Sequence, residues 1–551
     1  MKNKILMASV PVLTLAMTAC NAPTEAEQPW IVDRFDDIKV IRYEVPGFEE
    51  LPLEQKELIY YLQEAAKCGR DILFDQNCAV NLPVRRTLEC IYENYAGDRT
   101  TAEWQALEKY LKKVWFAEGM YGEAIKQIVY WLEKAEAVAV EPQKQTIRHL
   151  IDYYKTGDLK LFDAYNISWV ADTESHVDFV NGFIEDYGDA LGRKASWESV
   201  VNFKDTEACH RTEVISANAQ WFEDNAPINP IYRKPEEKGV SAKVITVAML
   251  GGACYPATPL GITLPNADWI RRDYGSKSVT IDNITYAYDK AAAGNGFTEE
   301  FVLREEDRQR MKEFGKLGDD LHTDLHECLG HGSGRLKEGV SPTALGSYSS
   351  TLEETRADLF GLYYIGDEKM VELGLVPSFD VAKATYADYI MNGMMTQLSR
   401  IEPGKDVEES HMRNRKLIAE WCYEQGKAEK VIEWVVENDK RYIVVNDFEK
   451  LRELFGQMLC EIQRIKSEGD FEAGKALVEQ YAVKVDPELH AEVLARYKAL
   501  NIEPYGGFVN PEYELVKEGD KVVDVKISYP ANYTEQMLNY AKNYSFLPNK
   551  N

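Results

Sequence analysis

Leu317, Leu321, Leu325 and Leu329 recur every fourth residue, and inside that stripe stand two histidines, His326 and His331, on either side of Glu327. The leucine spacing buries one face of a helix. The histidine spacing does not suit a regular helix, because five residues turn it by ~500° and leave the second ring ~140° from the first. Both rings can reach one metal only if the helix carries a local one-residue bulge. Gly330, directly before His331, is the residue expected to absorb that bulge, and such distortions gather at functional sites.

Metal chemistry is the reason to bring the rings together. Two histidines bracketing a glutamate, followed by the acidic run of Glu353, Glu354 and Asp358, supply the ligands of a catalytic zinc centre. Such a centre needs three protein ligands and an open position for water. Glu327 would face that water as a general base, and Glu354 is the expected third ligand. Thr351 with Glu354, and Ser350 with Glu353, also fit capping boxes. Asp358 four residues after Glu354 exceeds what a cap requires and shares its helix face. Glu353 and Asp358 are therefore expected to hydrogen-bond the ligand histidines.

The 551 residues, 45% of them apolar, exceed one hydrophobic core and predict two or more lobes. A formal charge of −27 argues against nucleic acid, whose binding relies on lysine and arginine displacing counterions. At the start, Lys2 and Lys4 precede an apolar run over residues 5–17, then Thr18, Ala19 and Cys20. This pattern predicts a secretory signal peptide over residues 1–19, with Cys20 resembling the lipid-modified cysteine of bacterial lipoproteins. The protein would then be exported to the periplasm or outer membrane and touch a membrane only through Cys20. No cysteines form a CxxC pair, and Cys68, Cys78 and Cys90 are close enough for one disulfide.

Helical periodicity is predicted over residues 54–68, 84–95, 101–113 and 122–137, and later over 416–424, 428–438 and 448–467. Thr298 is expected to cap a helix. Strand runs are expected at residues 244–249 and 278–281, with a proline-containing loop over 262–269 between them. Residues 183–189 read as acids around an aromatic at a solvated helix end. Residues 513–516 and 522–528 flank a turn at Gly519 and predict a terminal hairpin.

The residues His326 to Leu336, followed by Glu353-Glu354-Thr355-Arg356-Ala357-Asp358, resemble the signature of the dipeptidyl peptidase III metallopeptidases, a six-residue HExxGH motif with a downstream EExRA-type motif. The resemblance implies one Zn2+ per chain held by His326, His331 and Glu354, with Glu327 as base. Residues 183–187 are similar to the family segment in which Glu185 would hold the free amine of a peptide and Tyr187 would support the transition state. Asn266 and Thr263 fall in a loop similar to the one that binds substrate backbone, and His411 resembles the family's site histidine. Thr263 replaces an expected asparagine, Thr355 a common cysteine and Asp358 a glutamate.

The implied fold is α+β and mainly helical, with two lobes around a wide cleft. A helical upper lobe would carry the zinc, and the lower lobe would have a small β-barrel-like core. The lower lobe would take residues 20–205, 247–296 and 506–551, and the upper lobe 206–246 and 297–505. The implied activity is zinc-dependent release of dipeptides from the free N-terminus of peptides. The alternatives are a lipid-anchored peptide-binding protein with little catalysis, an endopeptidase, and a hydrolase of non-peptide amides.

Overall fold

The computed structural model describes residues 29–77, 81–114, 121–185, 195–236, 243–256, 258–341, 343–503 and 505–547. The predicted signal peptide, Cys20, Cys78 and Tyr187 lie outside them. The architecture is mainly helical α+β, and the buried hydrophobics form two separate cores. Residues 35–203, 245–291 and 508–547 supply the first, and residues 215–228 and 301–493 the second.

Where apolar spacing is strong, the expected helices form, as in Leu53–Cys68, Gly122–Val138 and Phe448–Glu468. Leu53–Cys68 buries Leu58, Ile59, Leu62, Ala65 and Ala66 at three- and four-residue spacing. Leu321, Leu325 and Leu329 are buried, so the leucine stripe does form the inner face of a helix, Glu305–Leu325, and its continuation. Among the described residues no helix is long and apolar enough to cross a membrane.

Several expectations need correction. The sheet in the first core is open and not barrel-like. Its five strands run in the order Val177–Glu185, Ser196–Lys204, Lys243–Gly252, Lys277–Ile281 and Gly261–Leu264. The first and last of these pair with one neighbour each, so the sheet does not close. The segment around Phe183 is strand, not a helix end. Asp178 and Asn181 hide its alternation because distant partners satisfy them: Asp178 accepts from Trp169 and Lys277, and Asn181 from Tyr154. The supposed loop over residues 262–269 is half strand, Gly261–Leu264, and runs into the helix Asp268–Tyr274.

Residues 428–438, read as helix, contain the strand Ile432–Glu437, which pairs with Lys440–Val445. Asn438 and Asp439 both take left-handed conformations, φ 51° and 60°, as a tight hairpin turn requires. Thr298 caps nothing: the short helix Phe297–Phe301 starts before it, with Gly296 at the capping position. The terminal hairpin forms as expected, Glu512–Glu518 with Lys521–Ser528. All seven described cysteines are free, including buried Cys68 and exposed Cys90, so those two form no disulfide.

Candidate active site

The helix Glu305–Leu325 does not end at the first histidine. It widens into a π-helical turn, His326–Gly330, in which His331 N–H donates to the His326 carbonyl at 3.1 Å. This five-residue bond is the extra residue that the histidine spacing demands, and it sets His326 Nε2 3.1 Å from His331 Nε2. Gly330 serves the bulge differently from the expectation, since its φ is not positive. A Cβ there would lie 2.8 Å from Ala357 Cα and 2.9 Å from the Ala357 carbonyl oxygen. Glycine is needed because the acidic helix Ser349–Ile365 crosses at backbone contact.

Glu353, Glu354 and Asp358 project from that helix. Its capping position is Tyr348, which makes no side-chain cap, so the capping-box reading of the two glutamates does not hold. Glu354 Oε2 lies 3.3 Å from His326 Nε2, 4.0 Å from His331 Nε2 and 3.6 Å from His411 Nδ1. This oxygen is buried and has no hydrogen-bond partner. Asp358 Oδ1 lies 2.7 Å from His326 Nδ1, and Glu353 Oε1 lies 3.0 Å from His331 Nδ1. With each Nδ1 donating to a carboxylate, both Nε2 atoms are left as acceptors.

Two ring nitrogens and a carboxylate oxygen thus converge with lone pairs facing one another. A tetrahedral ion with bonds of about 2.0–2.1 Å separates its ligands by roughly 3.3 Å. The observed edges of 3.1, 3.3 and 4.0 Å surround such an ion, and the donor set of two imidazoles and a carboxylate fits zinc. Glu327 stands at the solvent side with its side chain 49% exposed and Oε1 4.0 Å from His326 Nε2. Ligand atoms of His326, Glu327 and His331 also fall within 4.8 Å of one another. Glu354 fits the place of a third ligand better than Glu327, because its oxygen is buried and makes no hydrogen bond whereas Glu327 opens to water.

The electrostatics agree with a cation here. Burial disfavours charge on His326, yet Asp358, Glu354 and Glu327 outweigh it and lift its pKa to about 10. Without an ion the acidic cluster therefore favours a proton on this ring, and Nε2 becomes an acceptor when an ion displaces that proton. Burial likewise opposes ionisation of Glu353, but His331, Arg356 and Lys466 hold its carboxyl far below the usual range. Asp358 is held low against burial by His326, His322 and Tyr389. Tyr389 and Asn414 donate to Asp358 Oδ2 at 2.7 and 2.9 Å.

Fully buried Arg356 donates to Ser333 O, Ser333 Oγ, His331 O and Glu353, tying the segment after the bulge to the acidic helix. Sequence reasoning assigned no role to Arg356, although it sits inside the acidic motif. Tyr389, Asn414 and Lys466 arrive from three other helices and leave no local signal at all.

His411 lies in the first turn of Ser410–Gly426, whose capping Glu409 accepts from His411 N and Met412 N, both at 2.9 Å. Its side chain is exposed beside Glu354. The remaining described candidates form a second group on the five-stranded sheet. Glu185 ends the strand Val177–Glu185 just past a bulge, and Asn266 Nδ2 donates to the neighbouring Ile184 carbonyl at 3.1 Å. Thr263 is exposed on the edge strand, its Oγ1 3.0 Å from Ser278 Oγ.

Glu198 lies on the next strand, almost fully buried, with the Cys254 thiol 3.3 Å from its Oε2. Burial, then Glu185, raise its carboxyl pKa to about 7, against a smaller pull from Cys254. A raised carboxyl pKa means that the folded chain keeps a proton the unfolded chain has lost. Its cost to stability is absent below about pH 4 and grows as pH rises toward 7. Glu198→Gln should therefore raise the melting temperature at about pH 8 and leave it unchanged at about pH 4. Melting curves at both pH values check this.

Residues 93–345 and 337–536, well over half the chain, match the model of Peptidase family M49. The chain is 26% identical over 447 residues to dipeptidyl peptidase 3 of Mus musculus, covering 72% of this chain and 60% of that protein. It is 25% identical over 409 residues to dipeptidyl peptidase 3 of Homo sapiens, covering 67% and 54%. It thus spans less than two thirds of the length of these curated relatives. A solved structure of DPP III from Caldithrix abyssi superposes with a TM-score of 0.63 at 20% identity, over 84% of this chain and 95% of that one, and shares the fold. By the family match and the motif residues gathered at one site, this chain belongs to peptidase family M49.

Proposed function

We propose that the protein is a zinc-dependent peptidase that releases dipeptides from the free N-terminus of peptides. The observation that carries this reading is the buried, unpartnered Glu354 Oε2 facing two histidine acceptors, with the exposed carboxylate of Glu327 beside them. His326, His331 and Glu354 would hold one zinc, positioned by Asp358 and Glu353. Bound there, zinc would lower the pKa of a water to about 7 and polarise the scissile carbonyl.

Glu327 accepts a proton from the attacking water and returns it to the leaving nitrogen. His411, next to Glu354, and Tyr187 stabilise the oxyanion. The peptide's ammonium lies on Glu185 and its backbone on Asn266 and Thr263, and two separate hydrophobic cores support a substrate cleft between two lobes. The similarity to proteins named dipeptidyl peptidase 3 supports cleavage after the second residue. We extend the proposal to export, with lipid on Cys20 holding the enzyme at a membrane, on the pattern of residues 2–20.

One assay separates the readings. Purified protein is incubated with free-amine peptides, with and without a zinc chelator, and the products are identified by mass. Chelator-sensitive dipeptides are expected. Internal fragments would instead make it an endopeptidase, and intact peptides would leave the binding protein or the non-peptide amide hydrolase.

A further inference from the structure

We propose that Arg271 is a positioning residue of the peptide site, clamping the loop 263–266 so that the Asn266 amide meets substrate in one orientation. The inference rests on the reading above that Asn266 contacts the peptide backbone, and it adds a residue to which nothing so far has given a role.

Arg271 lies in the short helix that follows the loop. Its Nε donates to the Pro265 carbonyl at 2.5 Å. One terminal nitrogen donates to the Thr263 carbonyl at 2.9 Å and to Asn266 Oδ1 at 3.4 Å. One guanidinium therefore engages three acceptors spread over four residues. A rigid fork of donors does this and a lysine ammonium does not. Two of the acceptors are backbone carbonyls at the end of Gly261–Leu264, a strand with a neighbour on one side only.

The two ends of a carboxamide are nearly equal in shape, so partners decide which way it points. At Asn266 the oxygen end faces Arg271 and the nitrogen end faces the Ile184 carbonyl, next to Glu185. These contacts use one N–H and one lone pair and leave one of each. That remainder is the complement of one peptide unit, which offers a carbonyl and an N–H. The clamp thus fixes the amide relative to the strand end that carries Glu185, so that amine and backbone are read in one geometry. Arg271 and Asn266 are both exposed, which keeps the effect modest.

The test measures KM and kcat for tetra-alanine with Arg271→Met, Arg271→Lys, Asn266→Ala and the double variant Arg271→Met/Asn266→Ala, using the full chain loaded with zinc. Arg271→Met should raise KM about 3- to 10-fold, the worth of one net hydrogen bond, with kcat and zinc content unchanged. Arg271→Lys should fall between it and the parent. The double variant should be no worse than Asn266→Ala alone, because Arg271 acts through Asn266. A KM unchanged in Arg271→Met, or losses that multiply in the double variant, would overturn the inference.

The same cycle measured as tetra-alanine binding by calorimetry in a Glu327→Gln background separates this inference from the activity it rests on. If the chain with Glu327 intact fails to cleave tetra-alanine while the Glu327→Gln chain still binds it, the peptidase reading is overturned and Arg271 is still tested through the Kd. If the chain with Glu327 intact does not cleave and the Glu327→Gln chain does not bind, both are overturned.

Discussion

Glu327→Gln should keep its zinc and lose turnover by about 10²- to 10⁴-fold, the range that one positioned acid–base group contributes. The substitution changes one oxygen to an amide nitrogen and leaves the shape of the site alone. Glu327 is half exposed and its carboxylate is 4.0 Å from His326 Nε2, so the change leaves no buried partner unsatisfied. The proposed ligands His326, His331 and Glu354 are untouched. The amide can neither take the proton from water nor return it to the leaving nitrogen. Zinc per chain by emission spectroscopy, together with kcat on a free-amine peptide, decides the matter. Parental rates in the variant would remove Glu327 from the mechanism, and loss of zinc would make it a ligand.

The second large effect is expected at a position that touches neither substrate nor metal. In Gly330→Ala the new methyl would stand 2.8 Å from Ala357 Cα and 2.9 Å from its carbonyl oxygen. Both are backbone atoms, so no flexible side chain can yield and the two helices must move apart. Overpacking of this kind costs about 1–3 kcal/mol. The separation also draws His331 from Glu353 and Glu354, and disturbing such supporting contacts costs roughly 10- to 100-fold in metal affinity.

Gly315, in the same run of helix, is the control, because a Cβ there meets nothing within 4 Å. Gly315→Ala should be neutral or stabilise by about 0.5–1 kcal/mol. Thermal melting and competition with a zinc chelator measure both variants. Gly330→Ala with parental melting temperature and zinc affinity would refute the close-contact account.

The parts of this fold that were legible in the sequence are those in which the signal is local. The leucine stripe announced its helix, and the five-residue histidine spacing announced a bulge, because both follow from the pitch of one helix. The reason for Gly330 was not legible, since it lies in Ala357 on another helix. The strands around Asn181 and Ser199 were hidden for a related reason. Polar residues in a buried sheet break the expected alternation, and their hydrogen-bond partners come from elsewhere in the chain. The turn at Asn438 and Asp439 could have been found, because paired left-handed formers between β-branched runs mark a hairpin. Tyr389, Asn414 and Lys466, which hold Asp358 and Glu353, carry no mark in their own neighbourhoods.

The acidic helix has one more consequence. It meets the bulged turn across 22 residues of chain at Glu353 and His331, and across 32 at Asp358 and His326. An ion seated between Glu354 and the two rings would therefore act as a cross-link closing a loop of that size. Among the described residues no disulfide does so. The catalytic ion would also be a staple, whose removal enlarges the conformational freedom of the unfolding chain as well as ending the chemistry.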